Sequence, residues 1–126
     1  MNKLTAFRVS AAVAFLGVAL GAFGAHGLEP QMKALGTVEI WKTASLYHLI
    51  HAVAMLAISG QTGEGSRKIA WWFFLIGILI FGGTLYVLAA TGTKWLGAIT
   101  PLGGLSFLAG WAVLALAKAS KNPNAA

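Results

Sequence analysis

Four apolar stretches, at about residues 6–25, 39–59, 69–91 and 95–117, set the terms for this chain. Each approaches the ~20 residues that cross a bilayer as a helix. Hydrocarbon offers no water to backbone N–H and C=O groups, so a run of this length must satisfy them internally, and a helix does so within one segment. The fold class that follows is all-α: one domain over residues 1–126, an integral membrane four-helix bundle whose first partner is the lipid bilayer. Composition agrees, with 58% of the 126 residues hydrophobic and only 10% charged, against about 25% charged in a soluble domain.

Nine Lys and Arg against three acids give a net charge of +6. The bases are scattered among chain ends and loops, with no run that would track a phosphate backbone, so nucleic acid is not an expected partner. Without cysteine there is neither disulfide nor thiolate chemistry. Four spans bring both ends to one side, with Lys3, Arg8, Arg67, Lys68, Lys118 and Lys121, and leave Lys33, Lys42 and Lys94 on the other. The positive-inside rule then places both termini in the cytoplasm. Trp41 and Trp95 fall at the outer interface, Trp71 and Trp72 at the inner one, and Trp111 about a turn inside the inner end.

The connections are short. Pro30 suits a first helical position and Gly36 a stop, which predicts one or two helical turns along the interface. Thr37 reads as the cap of the second span, with Glu39 in its first turn. Residues 60–68 form a polar, Gly-rich loop, residues 91–94 a tight turn, and residues 118–126 a frayed polar tail. Pro101 is either a first-turn proline with Thr100 as cap, or a kink that frees a carbonyl near Gly97. Lys3, Arg8 and the apolar run after them also have the outline of a signal peptide, with Ala22-Phe-Gly24 as a small-x-small cleavage site. The packing face that extends through Gly21 to His26 favours a retained span.

Small residues mark where helices approach closely. Gly17, Gly21 and Gly24 lie on one face of the first helix; Gly82, Gly83, Gly103 and Gly104 are expected to do the same for the third and fourth, and Ser106 with Gly110 forms another small pair.

Ionisable groups at membrane depth are costly and mark a functional site by default. His26 ends the first stretch; His48 and His51 lie inside the second. Thr43, Tyr47 and His51, spaced by four, read as one stripe that points into the bundle, with His48 close to it. A rise of about 1.5 Å per residue from Trp41 puts His48 roughly 10 Å deep and His51 roughly 15 Å. Thr84, Tyr86 and Thr100 reach similar depths. The polar groups thus gather in the outer half, with the inner half almost wholly apolar, which implies a polar cavity open to the outside. Three readings of this cluster compete: a satisfied network that holds helices in register, a ligand or proton site that uses the near-neutral pKa of histidine, and metal or haem ligation by His48-x-x-His51. The last lacks the Glu and Cys companions of strong metal motifs. Glu29, Glu39 and Glu64 fall in loops or at a helix end, and no phosphate loop, Ser-His-Asp pattern or acid pair is present, so neither catalytic residues nor a cofactor are expected.

Five blocks in order, Gly21-Ala-Phe-Gly-Ala-His-Gly-Leu28, Thr43-Ala with Tyr47-His and His51, Phe81-Gly-Gly-Thr-Leu-Tyr86, Gly97-Ala-Ile-Thr-Pro-Leu-Gly-Gly104 and Gly110-Trp111, resemble the small YgdD/YwdK membrane family, domain of unknown function 423, itself similar to transmembrane protein 256. The resemblance covers about residues 5–117 and departs at Gly83, where a Ser is common. It implies about four spans in the bacterial inner membrane and brings no activity. The expected function is a non-enzymatic accessory or assembly factor that docks another membrane protein or a copy of itself. The alternatives are a small-solute or proton channel or transporter, and a metal- or haem-binding membrane protein.

Overall fold

The described residues of the computed structural model, 1–62 and 65–118, form helices joined by short turns, without a strand. Four helices are long and apolar enough to cross a membrane: α1 (Lys3–His26), α3 (Val38–Gln61), α4 (Gly65–Thr91) and α5 (Lys94–Ala115). The short α2 (Glu29–Leu35) lies between the first two. The protein is a helical membrane bundle.

Local chemistry explains the ends. Asn2 Oδ1 accepts the Thr5 N–H at 2.7 Å and caps α1. Pro30 stands in the first turn of α2, and Gly36 ends it at φ 71. Gly92, at φ 73, makes the turn into α5; both glycines sit in the left-handed region that side chains disfavour.

Two expected caps do other work. Thr37 precedes α3, but its hydroxyl donates to Ala89 O on α4 at 2.6 Å, and the Gln31 amide bonds the neighbouring Ala90 O. The α2–α3 corner is thereby pinned to α4. Thr100 Oγ1 donates back to Leu96 O at 3.1 Å rather than capping forward. Pro101 falls in the first turn of the α-helical part of α5, after a tight turn at Lys94–Ala98. Helix α4 starts at Gly65, ahead of the expected 69, because residues 66–68 already form its first turn. There Arg67 donates to Gln61 Oε1 at 3.0 Å and to Lys118 O at 3.2 Å. Glu64, Lys121 and the tail expected to fray beyond Lys118 lie outside the described residues.

The helices pack as two close pairs, α1 with α3 and α4 with α5, which meet chiefly along α3 and α4. Glycines set the close approaches, though not all of those expected. Gly17 lies under Leu49 and His48, and Gly24 under the Trp41 indole. In the other pair Gly77 lies under Phe107, Gly110 under Phe74, and Gly103 against the Phe81 backbone. A Cβ on Gly83 would meet nothing within 4 Å; on Gly21, Gly82 or Gly104 it would make only ordinary contacts at 3.8, 3.7 and 3.9 Å. Adjacent helical residues point about 100° apart, so of two neighbouring glycines only one can face the partner helix.

Helix α4 is widened at Ile78–Gly82, where the Gly83 N–H reaches Ile78 O five residues back. This π-turn carries Phe81 against Gly103. Thr84 Oγ1 lies 2.6 Å from Ile80 O, a carbonyl that the Gly83 N–H also reaches. Between the pairs lies a core of Met55, Trp71, Phe74, Ile78 and Phe107, and a smaller one of Met32, Trp41 and Ala89 sits at the α2 end.

Candidate functional site

The buried face of α3 runs through Trp41, Ala44, His48, His51, Ala52 and Met55. Its two histidines, each 4% exposed, turn toward different helices. His48 Nε2 lies 2.8 Å from Val13 O on α1, and Nδ1 lies 2.9 Å from Tyr86 Oη on α4. A carbonyl only accepts, so Nε2 carries the proton and Nδ1 takes the phenol's. Gly17 makes this possible: a Cβ there would crowd the His48 ring, with 3.3 Å to Cδ2. Ser45 Oγ lies 3.5 Å from the same phenol oxygen.

His51 is held the opposite way round. Its Nδ1 donates to Tyr47 O at 2.7 Å, and its Nε2 accepts the Trp111 indole N–H at 3.0 Å from α5. The ring stacks on Phe107 with centroids 3.7 Å apart, while Phe74 and Trp111 approach by their edges at 5.4 and 5.8 Å. A third contact joins Thr84 Oγ1 on α4 to Thr100 Oγ1 on α5 at 2.7 Å.

The expected single cluster is therefore divided into three separate contacts, and some members fall outside it. His26 is exposed at the end of α1. Thr43 is exposed, and its hydroxyl donates to Glu39 O of its own helix at 3.0 Å. Tyr47 is 41% exposed on the flank of α3. The reason is helical phase. Each four-residue step turns about 40° past a full revolution, so a stripe of Thr43, Tyr47 and His51 begins outside and ends buried.

The end of the bundle expected to be apolar holds polar contacts as well. Trp71 Nε1 donates to Ser10 Oγ at 2.9 Å, and Ser10 donates to Ala6 O at 2.7 Å. Ser59 and Thr62 are buried there. Elsewhere Trp41 Nε1 donates to Leu20 O at 2.9 Å and Ser106 Oγ to Phe73 O at 2.7 Å. For the Ser10 and Leu20 contacts the legible signal is the tryptophans themselves, since an indole N–H inside an apolar helix needs an acceptor. Among the described residues every buried side-chain nitrogen or oxygen has a hydrogen-bond partner.

Among the described residues, three grooves divide the predicted residues between them or miss them. A groove of about 410 Å³ between α1 and α3, below α2, is lined by Gly21, Glu29, Trp41, Lys42 and Ser45 among others, and by none of the predicted polar residues. A groove of about 200 Å³ between α1 and α4 has His48 and Tyr86 in its wall. A larger one of about 540 Å³ runs between α3 and α5, past Tyr47 and His51. Among the described residues no three His, Cys, Asp or Glu side chains are placed to hold a metal ion together.

Residues 20–104 match the family model described as protein of unknown function (DUF423). The chain is similar to UPF0382 membrane protein YwdK of Bacillus subtilis, 41% identical over 82% of this chain and 87% of that one. It is similar at 41% identity, over the same shares, to UPF0382 membrane protein SSP2132 of Staphylococcus saprophyticus, and at 42%, over 82% and 86%, to a UPF0382 membrane protein of Staphylococcus epidermidis. No solved structure matches it. With four helices long and apolar enough to cross a membrane and relatives of this similarity over most of its length, the chain belongs to the DUF423 family of membrane proteins.

Proposed function

We propose that this protein is a non-enzymatic accessory or assembly factor of the bacterial inner membrane, with both ends cytoplasmic. Its polar core holds four helices in register, and its outer faces meet another membrane protein or a second copy. The observation that supports this reading is the use of all four ring nitrogens of His48 and His51 in bonds to Val13, Tyr86, Tyr47 and Trp111. Metal or haem ligation by either ring breaks one of these bonds. A proton path along α3 has to cross between two networks that share no hydrogen bond among the described residues. Satisfied polar groups of this kind specify helix packing in lipid.

The test is metal and haem content of protein purified in mild detergent, beside the His48→Ala/His51→Ala double variant. An empty wild type with a less stable variant supports a structural core. A stoichiometric metal or Soret band that disappears in the variant overturns it.

A further inference from the structure

Helices α1 and α3 touch at two levels and part between them. Gly24 lies under the Trp41 indole and Gly17 under Leu49 and His48, while a Cβ on Gly21 would meet only Ser45 Oγ, at 3.8 Å. Gly21 lines the groove of about 410 Å³ below α2 instead, a volume in the range of ligand sites.

The groove is graded in polarity along its length. Glu29, which opens α2, and Lys42, in the second turn of α3, stand in its wall. Ser45 lies three residues further along α3, about 4.5 Å deeper, and Leu46 and Leu49 follow. The Ser45 hydroxyl has one hydrogen-bond neighbour among the described residues, the Tyr86 hydroxyl at 3.5 Å, which is long for a bond between hydroxyls. The charges also have capacity to spare. Glu29 Oε1 meets Lys33 Nζ at 2.8 Å, and Lys42 Nζ meets Glu39 Oε1 at 3.3 Å. A carboxylate has a second oxygen and an ammonium three protons, and ion pairs at a surface hold weakly. Lys33 first, and Lys42 more weakly, hold the Glu29 carboxyl below its ordinary value, so Lys42 and Glu29 act on the same small region. With Lys33 and Glu39 counted, the mouth carries two charges of each sign.

An occupant matched to this wall carries both charges at one end, an acceptor oxygen a few ångströms deeper, and hydrocarbon beyond. A phospholipid with a primary ammonium has that order: ammonium, phosphate, ester carbonyl, acyl chain. The polar zone on each side of the hydrocarbon core is about 5–8 Å thick, which accommodates the step from Lys42 to Ser45. A mouth of balanced charge favours a net-neutral headgroup over an anionic one. A quaternary ammonium, unlike a primary one, has no proton to give a carboxylate. We propose that the groove between α1 and α3 binds one phospholipid of the phosphatidylethanolamine class. Its ammonium meets Glu29, its phosphate meets Lys42, and an ester carbonyl accepts the Ser45 hydroxyl. The proposal goes beyond the structural role of the histidines and does not depend on it.

The test is native mass spectrometry of the full chain in mild detergent. The probe is an equimolar mixture of phosphatidylethanolamine, phosphatidylcholine and phosphatidylglycerol with the same acyl chains. We expect one lipid adduct, with phosphatidylethanolamine preferred about fivefold over either competitor. Glu29→Gln removes the preference over phosphatidylcholine, and Lys42→Gln weakens both zwitterionic lipids. Gly21→Leu fills the groove and removes the adduct. Glu29→Gln and Lys42→Gln change only surface pairs, so they decide the question whether or not Gly21→Leu folds. Absence of an adduct, equal occupancy by the three lipids, preference for phosphatidylglycerol, or an unchanged preference in Glu29→Gln overturns the proposal. So does an efficient disulfide between two copies carrying Leu46→Cys in phosphatidylethanolamine bilayers, because a second copy then fills the groove.

Discussion

Trp111 and His51, sixty residues apart on α5 and α3, meet edge to face: the indole N–H donates to His51 Nε2 at 3.0 Å. With Nδ1 already donating to Tyr47 O, this single contact sets the tautomer of a buried imidazole and ties α5 to a helix outside its own close pair. Trp111→Phe keeps the ring and removes the donor. We expect a lower thermal midpoint in detergent, with a loss of about 1 kcal/mol, near the middle of the range for interhelical hydrogen bonds in membranes. An unchanged midpoint would mean the bond adds nothing.

The His48–Tyr86 contact is a pair whose members depend on each other. Tyr86→Phe strands His48 Nδ1, and His48→Ala leaves the phenol only Ser45 Oγ at 3.5 Å and opens a gap beneath Gly17. The single variants are expected to cost about 1 and about 2–3 kcal/mol. The double variant should cost less than their sum by about 0.5–1.5 kcal/mol, since neighbours that share one bond are not additive. Unfolding measured across the four proteins checks the coupling; strict additivity would show that the two side chains act independently.

Gly103 and Gly83 separate two uses of glycine. A Cβ on Gly103 would stand 2.8 Å from Phe81 Cα, where backbone cannot yield without moving a helix, whereas one on Gly83 meets nothing within 4 Å. Gly103→Ala is expected to destabilise by about 1–3 kcal/mol. Gly83→Ala should be neutral or stabilising by up to about 1 kcal/mol, from helix propensity. Equal effects in a thermal-shift comparison would contradict the placement of the α4–α5 contact.

The spans were legible because hydrophobicity accumulates over twenty local residues and needs no knowledge of partners. The turn glycines Gly36 and Gly92 were legible for the same reason, each acting through its own backbone. The polar site was less so. Counting by fours placed Thr43 beside His51, but the true period of 3.6 carries Thr43 to the outside. Several partners are invisible in a list of side chains: Val13, Leu20, Tyr47 and Phe73 contribute carbonyls. Ser10 is one hydroxyl in an apolar run, and nothing near it in sequence shows that Trp71 on a facing helix donates to it. Gly103 is set by where the π-turn brings Phe81, and nothing local announces that turn.

At the α2 end, Lys33 Nζ lies 2.8 Å from Glu29 Oε1 on a solvent-facing turn. The hydrogen bond and charge of Lys33 hold the Glu29 carboxyl below its ordinary value, with smaller help from His26 and Lys42. A lowered carboxylate pKa means that the pair's contribution is present above the unfolded value and is lost as pH falls through the folded one. In a ¹³C carboxyl titration, Lys33→Ala should move the Glu29 midpoint upward. A midpoint that stays put would mean the two groups are not paired in solution.

The central claim is that His48 and His51 are structural groups held in opposite tautomers by protein partners. Side-chain ¹⁵N spectra of histidine-labelled protein in lipid bilayers test it directly. The account predicts two neutral imidazoles, His48 protonated on Nε2 and His51 on Nδ1, assigned by the loss of each signal in His48→Ala and His51→Ala. Imidazolium shifts, a metal-shifted nitrogen, or the same tautomer at both positions would contradict it.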